Sequence, residues 1–136
     1  GKNSQPEYER VSFDTLLTES DIVSVHAPLD ENTKGLMNEE AFKKMKNTAI
    51  FLNLGRGPIV VEEDLAKALD SGEIAAAGLD VLAVEPMSRE NPLLRIKDSN
   101  RLIITPHIAW ASVEARTRLM KTIEGQVEEF FVTVQP

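Results

Sequence analysis

Arg56, Glu85 and His107 are the residues of this chain whose types and placement could do chemistry together. Each closes a segment that reads as the end of a buried strand. The segments are Ala49-Ile-Phe-Leu-Asn-Leu-Gly-Arg-Gly-Pro58, Ala77-Gly-Leu-Asp-Val-Leu-Ala-Val-Glu-Pro86 and Leu102-Ile-Ile-Thr-Pro-His-Ile-Ala-Trp110. In an open parallel α/β sheet, ligands bind just beyond the carboxyl ends of the strands. A cation, a carboxylate and an imidazole delivered there could hold an anionic substrate and move a proton.

The elements that must position them alternate in type. Short apolar runs at 22–25, 49–53, 75–81 and 101–105 read as strands. Between them, 39–46 reads as a short helix with Phe42 and Met45 inward, and 62–71 as an amphipathic helix with Leu65, Ala68 and Leu69 on one face. Gly72 supplies the C-terminal stop. A capped helix is expected over 12–20. A long one is expected over 112–132, with Ser112 as N-cap and Val113, Leu119, Met120, Ile123, Val127 and Phe130 at helical spacing. The main irregular connection is 87–100. This alternation predicts a parallel sheet with helices on both faces.

Composition narrows the function classes. The 136 residues suffice for one domain with a core. A net charge of −7 without a Lys/Arg run argues against a nucleic-acid surface. No apolar stretch approaches the ~20 residues of a membrane span. With no cysteine and only His26 and His107, disulfides and thiolate metal sites are excluded, and no metal is expected. The missing cysteines suit a cytoplasmic protein.

A dinucleotide-binding unit normally opens with a strand, a G-x-G-x-x-G turn, a helix and an acidic residue about 20 positions on. Gly55-Arg-Gly57 comes nearest, but Val60 stands where a third glycine should be. No Walker-type phosphate loop is present either. The chain also starts abruptly at Gly1, as a trimmed piece would. It reads as the second half of a larger nucleotide-binding domain.

Several blocks match a known family in order and spacing. They are Ser20-Asp-Ile-Val-Ser-Val-His-Ala-Pro-Leu29, Thr33-Lys-Gly35, Asn53-Leu-Gly-Arg-Gly-Pro58, Gly78-Leu-Asp-Val81, Glu85-Pro86 and Pro106-His-Ile-Ala-Trp-Ala-Ser112. From about Tyr8 to Phe131 the chain resembles the D-isomer-specific 2-hydroxyacid dehydrogenases. Within that family it looks most like the glycerate dehydrogenase (hydroxypyruvate reductase) branch. Phosphoglycerate dehydrogenases usually carry glycine where this chain has Ala109 and lack the tryptophan. Formate dehydrogenases have glutamine at the position of Glu85.

The resemblance implies a partial Rossmann-like, doubly wound parallel sheet with a long C-terminal helix. The whole of 1–136 would be the C-terminal portion of an NAD-binding domain, with 112–136 returning toward a substrate domain. It implies hydride transfer between NAD(H) and a small 2-hydroxy or 2-keto acid, in a homodimeric cytoplasmic enzyme. Arg56 would bind the substrate carboxylate, His107 would be the acid/base and Glu85 would orient His107. Asp80 would lie near the nicotinamide carboxamide. Ala27, Thr33, Leu54 and His107, Ile108, Ala109 and Trp110 would line the cofactor. The choice between NAD and NADP is not readable, because the ribose-reading segment would lie upstream.

Other readings stand beside these. Taken singly, Arg56 is a turn arginine, Glu85 a solvated loop glutamate, Asp80 a strand-end cap and His107 a histidine satisfied in its loop. Trp110 serves packing or an interface equally well. His26 reads as structural, and Ser20-Asp21 as a turn. The pairs Glu39-Glu40, Glu62-Glu63 and Glu128-Glu129 read as solvated helix faces, the first two also favourable to a helix N-terminus. A non-catalytic nucleotide-binding module of the corepressor type, or a phosphoglycerate dehydrogenase-like enzyme, would keep the same three residues.

The isolated chain is expected to be inactive. The strand at 22–25 would expose an edge that pairs with a strand the chain lacks, and the long helix a partly bare apolar stripe. Self-association or partner pairing through that edge is therefore expected in light scattering. A strictly monomeric, well-folded chain would count against it.

Overall fold

The computed structural model describes residues 9–133. Tyr8, Gly1 and the terminal Gln135-Pro136 lie outside the described residues. The chain divides into two compact units, 1–106 and 107–136.

The first unit runs α1 (Phe13–Glu19), β1 (Ile22–Val25), α2 (Glu39–Lys44), β2 (Ile50–Asn53), α3 (Glu62–Ser71), β3 (Ala76–Leu79) and β4 (Leu102–Ile104). The helices start where capping chemistry allows. Ser12 accepts the Thr15 N–H at 3.1 Å, and Asn38 accepts the Ala41 N–H at 3.1 Å. Asp64 reaches over from α3 to accept the Glu39 N–H at 3.0 Å. Gly72, at φ +78°, ends α3 in the left-handed conformation that its lack of a Cβ permits. The helix expected over 39–46 stops at Lys44, and Met45 caps it while staying buried.

The strands form one parallel sheet in the order β1-β2-β3-β4. Register alternates its faces. The row Val23–Phe51–Ala77 is buried and joins a core with Leu17, Phe42, Leu65 and Leu69. Phe42 and Phe51 meet edge to face at 5.3 Å. The alternate positions stay open: Ile22 is 59% and Ile103 68% exposed. The Rossmann-like α/β class is as expected, but among the described residues of this unit the helices leave the face carrying Ile22 and Ile103 uncovered. Strands that follow one another in a single direction, joined by right-handed crossovers, receive all their helices on one side.

Arg101, expected to begin β4, instead ends a 3₁₀ turn over Ser99–Arg101. Its guanidinium donates to the carbonyls of Leu69, Ile74 and Ala75. It thus satisfies the end of α3 and the lead into β3 together. The connection 87–100 carries a second 3₁₀ turn, Pro92–Arg95, started by Asn91.

Two glycines let the loops after the strands crowd together. A Cβ on Gly57 would lie 1.9 Å from the Leu82 carbonyl oxygen, and one on Gly55 2.9 Å from that of Ala27. Backbone therefore packs on backbone across the carboxyl edge of the sheet. Further along, the Gly35 N–H donates to Pro58 and the Met37 N–H to Ile59, tying the loop after β1 to the turn after β2.

In the second unit, α4 (Val113–Thr133) is capped by Ser112, which accepts the Ala115 N–H at 3.2 Å. No residue of α4 is buried, with Met120 at 63% and Phe130 at 61% exposed.

Two substitutions test this frame in urea unfolding. Gly57→Ala should destabilise by about 1–3 kcal/mol, because two backbone segments must part. An unchanged midpoint would mean that they do not touch. Arg101→Met keeps the apolar stem and strips hydrogen bonds from three carbonyls, and should cost about 1–3 kcal/mol.

Candidate active site

Parallel pairing sets the ends of β1, β2 and β3 side by side. The turn after β2 is the most constrained. Asn53 is fully buried. Its side-chain oxygen accepts the Gly55 N–H at 3.1 Å, and its amide donates to the Arg56 carbonyl at 3.0 Å. One buried amide so closes the turn from both sides. Arg56 projects from it, exposed, with Nη1 donating to the Gly55 carbonyl at 2.9 Å. Arg56 makes no ion pair among the described residues. An unneutralised guanidinium on a rigid turn suits a carboxylate ligand.

A cleft of ≈ 540 Å³ lies against this turn, lined by His26 to Leu29 and Leu54 to Arg56. It brings together Ala27, Leu54 and Arg56 of the expected site. His26 bonds the Ser24 hydroxyl at 2.8 Å rather than using backbone partners. Thr33 does not line the cleft. Its hydroxyl donates to the Pro28 carbonyl at 2.7 Å and accepts the Asp30 N–H at 2.8 Å, which braces the loop leaving the cleft.

After β3, Asp80 is the one buried carboxylate among the described residues, 3% exposed. Its N–H donates to the Asn53 carbonyl at 3.0 Å, and its Oδ1 accepts the Thr105 hydroxyl at 2.5 Å. Hydrogen bonds of this kind are what make burial of a carboxyl group tolerable. Glu85 lies in the exposed loop beyond, with Oε1 accepting the Leu82 N–H at 2.8 Å. The next N–H, that of Ala83, donates to Glu62 at 2.7 Å. Glu62 is therefore no merely solvated helix-face residue. It also accepts the Asn91 amide at 2.8 Å.

In the second unit, His107 takes φ +55°, a left-handed conformation uncommon outside glycine. The Trp110 indole N–H donates to the His107 carbonyl at 2.8 Å, and the Ala111 N–H to that of Ile108 at 2.9 Å. These bonds curl 107–111 into a turn ahead of α4. Ile108, Ala109 and Trp110 are exposed on it.

Asn53, Glu62 and Thr105 were not singled out from the sequence as site-building residues. An asparagine two residues before a Gly-x-Gly was the readable signal for the first. Nothing local marks the other two, whose partners lie 21 and 25 or more positions away.

The groups fit part of a nicotinamide dinucleotide. Apolar Pro28, Leu29 and Leu54 suit a planar ring or ribose face, and buried Asp80 can accept from an amide. The pyrophosphate would need donors from outside these segments.

The family profile described as D-isomer specific 2-hydroxyacid dehydrogenase, NAD binding domain, matches residues 2–109. The hydroxypyruvate reductase of Blautia hydrogenotrophica is 50% identical over 120 residues, which cover 88% of this chain and 36% of that protein. Among solved structures, the NAD-complexed D-isomer specific 2-hydroxyacid dehydrogenase of Lactobacillus delbrueckii ssp. bulgaricus superposes with TM-score 0.77 at 34% identity, over 93% of this chain and 42% of that one. The enzyme of Xanthobacter autotrophicus Py2, in complex with NADPH and MES, gives TM-score 0.65 at 42% identity, over 71% and 30%. The chain thus spans little more than a third of the Blautia protein's length. Together with the sheet and the order of its strand-end motifs, these matches place the chain in the D-isomer-specific 2-hydroxyacid dehydrogenase family, as part of its NAD-binding domain.

Proposed function

We propose that the chain carries the substrate-facing part of an NAD-dependent oxidoreductase that interconverts a small 2-keto acid and its 2-hydroxy acid, with hydroxypyruvate and glycerate as the first pair to try. The observation that carries this is the Arg56 turn, an exposed guanidinium without an ion pair, held beside a cleft by Asn53 and two glycines.

The roles follow from the chemistry of each group. Arg56 grips the substrate carboxylate and polarises the neighbouring carbonyl. His107 gives a proton to the carbonyl oxygen in reduction and takes it back in oxidation. Glu85 orients His107 and fixes its tautomer. Bound NAD(H) supplies or accepts the hydride. Ala27, Leu54, Asp80, Ile108, Ala109 and Trp110 line its site, and Thr33 braces the loop that borders it. In this reading 1–136 is one portion of an NAD-binding domain, 112–136 reaches toward a substrate domain, and the working enzyme is a cytoplasmic homodimer. No helix among the described residues is long and apolar enough to cross a membrane.

The first experiment is an NADH fluorescence titration of the chain, followed by hydroxypyruvate. Weak binding without oxidation is expected, since the chain has no G-x-G-x-x-G turn. The second is a chimera in which the chain replaces the matching segment of the Blautia reductase. It should reduce hydroxypyruvate. Arg56→Ala should lower kcat/KM by about a hundredfold or more. His107→Asn should lower kcat by about 10²–10⁴-fold. A folded chimera that binds NADH without turnover would favour a nucleotide-binding module instead.

A further inference from the structure

Glu62 opens α3, yet both of its carboxylate oxygens are committed to the loop after β3. Oε1 accepts the Ala83 N–H at 2.7 Å, and Oε2 accepts the Asn91 Nδ2 amide at 2.8 Å. Asn91 is 6% exposed, and its own Oδ1 accepts the Leu93 N–H at 2.9 Å. Its amide therefore cannot turn over without losing that bond. Glu85 lies between these two anchors and is itself folded back onto Leu82.

On its other side, Glu62 comes three residues after the Gly57–Ile59 turn that leaves Arg56. Gly57 rests on the Leu82 carbonyl. The arginine turn and the glutamate loop are thus joined twice, once by backbone contact and once through Glu62. A glutamate that only favoured a helix N-terminus would need neither Ala83 nor Asn91.

We propose that Glu62 is a positioning residue, which holds the loop bearing Glu85 at a fixed offset from the turn bearing Arg56. It thereby sets the carboxylate and the guanidinium for one bound substrate. The proposal rests on the roles assigned above to Arg56 and Glu85, while the mechanical link through Glu62 is testable without them.

Glu62→Gln keeps an acceptor for Ala83 but sets a donor against the Asn91 amide. Adding Asn91→Asp restores the bond with its direction reversed, and still leaves an acceptor for Leu93. In NMR of the 136-residue chain, Glu62→Gln should speed amide exchange at Ala83 about tenfold. Amides of β2 and α3 should keep their rates, and the double variant should return Ala83 to its original rate. In the chimera, the single variant should lower kcat for hydroxypyruvate by roughly tenfold to a hundredfold with the KM for NADH little changed. The double variant should restore kcat.

Unchanged exchange at Ala83 would overturn the proposal. So would a loss of global cooperative unfolding in the single variant, or a fall in kcat that the double variant does not rescue. An unsubstituted chimera without turnover would instead sink the proposed function, leaving exchange at Ala83 to decide the link.

Discussion

The arrangement depends on two missing side chains. Gly55 and Gly57 flank Arg56, and each faces a neighbouring backbone closer than any Cβ allows. Adjacent parallel strands lie only ~4.8 Å apart. Loops leaving neighbouring strand ends must therefore diverge or shed side chains. Here the turn after β2 stays wedged between the loops after β1 and β3, and Asn53 closes it from beneath. Only the arginine can leave such a turn, so its side chain is presented from a backbone with little freedom. A charged group held this way loses less conformational entropy when it binds.

The carboxylates matter as much for what they do not do. The chain carries a net charge of −7, which opposes the approach of an anionic ligand. Around the site, though, acidic side chains are turned to donors of the fold. Asp80 takes the Thr105 hydroxyl, Glu85 the Leu82 N–H, and Glu62 Ala83 and Asn91. None of these contacts neutralises Arg56. Bulk charge is screened beyond about 8–10 Å at moderate salt, so in the proposed role an anion close to Arg56 would meet chiefly the local guanidinium. The same bonds that build the loops keep the site's cation available.

Periodicity and turn chemistry carried most of the fold. The strands at 22–25 and 49–53, the helix at 62–71 and its Gly72 stop were legible because each is written in local spacing. The strand ends holding Arg56, Asp80 and Glu85 followed from the same patterns. The face of the sheet that each helix covers was not legible. It depends on strand order, and a run of alternating elements does not state its direction. In the sequence Arg101 reads as a strand residue, because three carbonyls contributed by α3 and the lead into β3 cannot be seen from its neighbours. Glu62 reads as a helix-face acid for the same reason, since its partners are distant in sequence. Residue types at strand ends announce chemistry, whereas the groups that aim them are recruited across the fold.

Strand order also says where the rest of a dinucleotide crevice must come from. In open α/β sheets that crevice forms where strand order reverses. The four strands here advance one way without reversal. The cleft at Ala27, Leu54 and Arg56 sits at the ends of β1 and β2, hard against the open edge of β1. Ile22 and Ile50, paired at the amino ends of those two strands, turn apolar surface outward on the open face of the sheet. A reversal at that edge would supply the second wall of the crevice and cover this surface at once. The apolar exposure and the incomplete nucleotide site are then one structural fact, seen from the sheet and from its carboxyl rim.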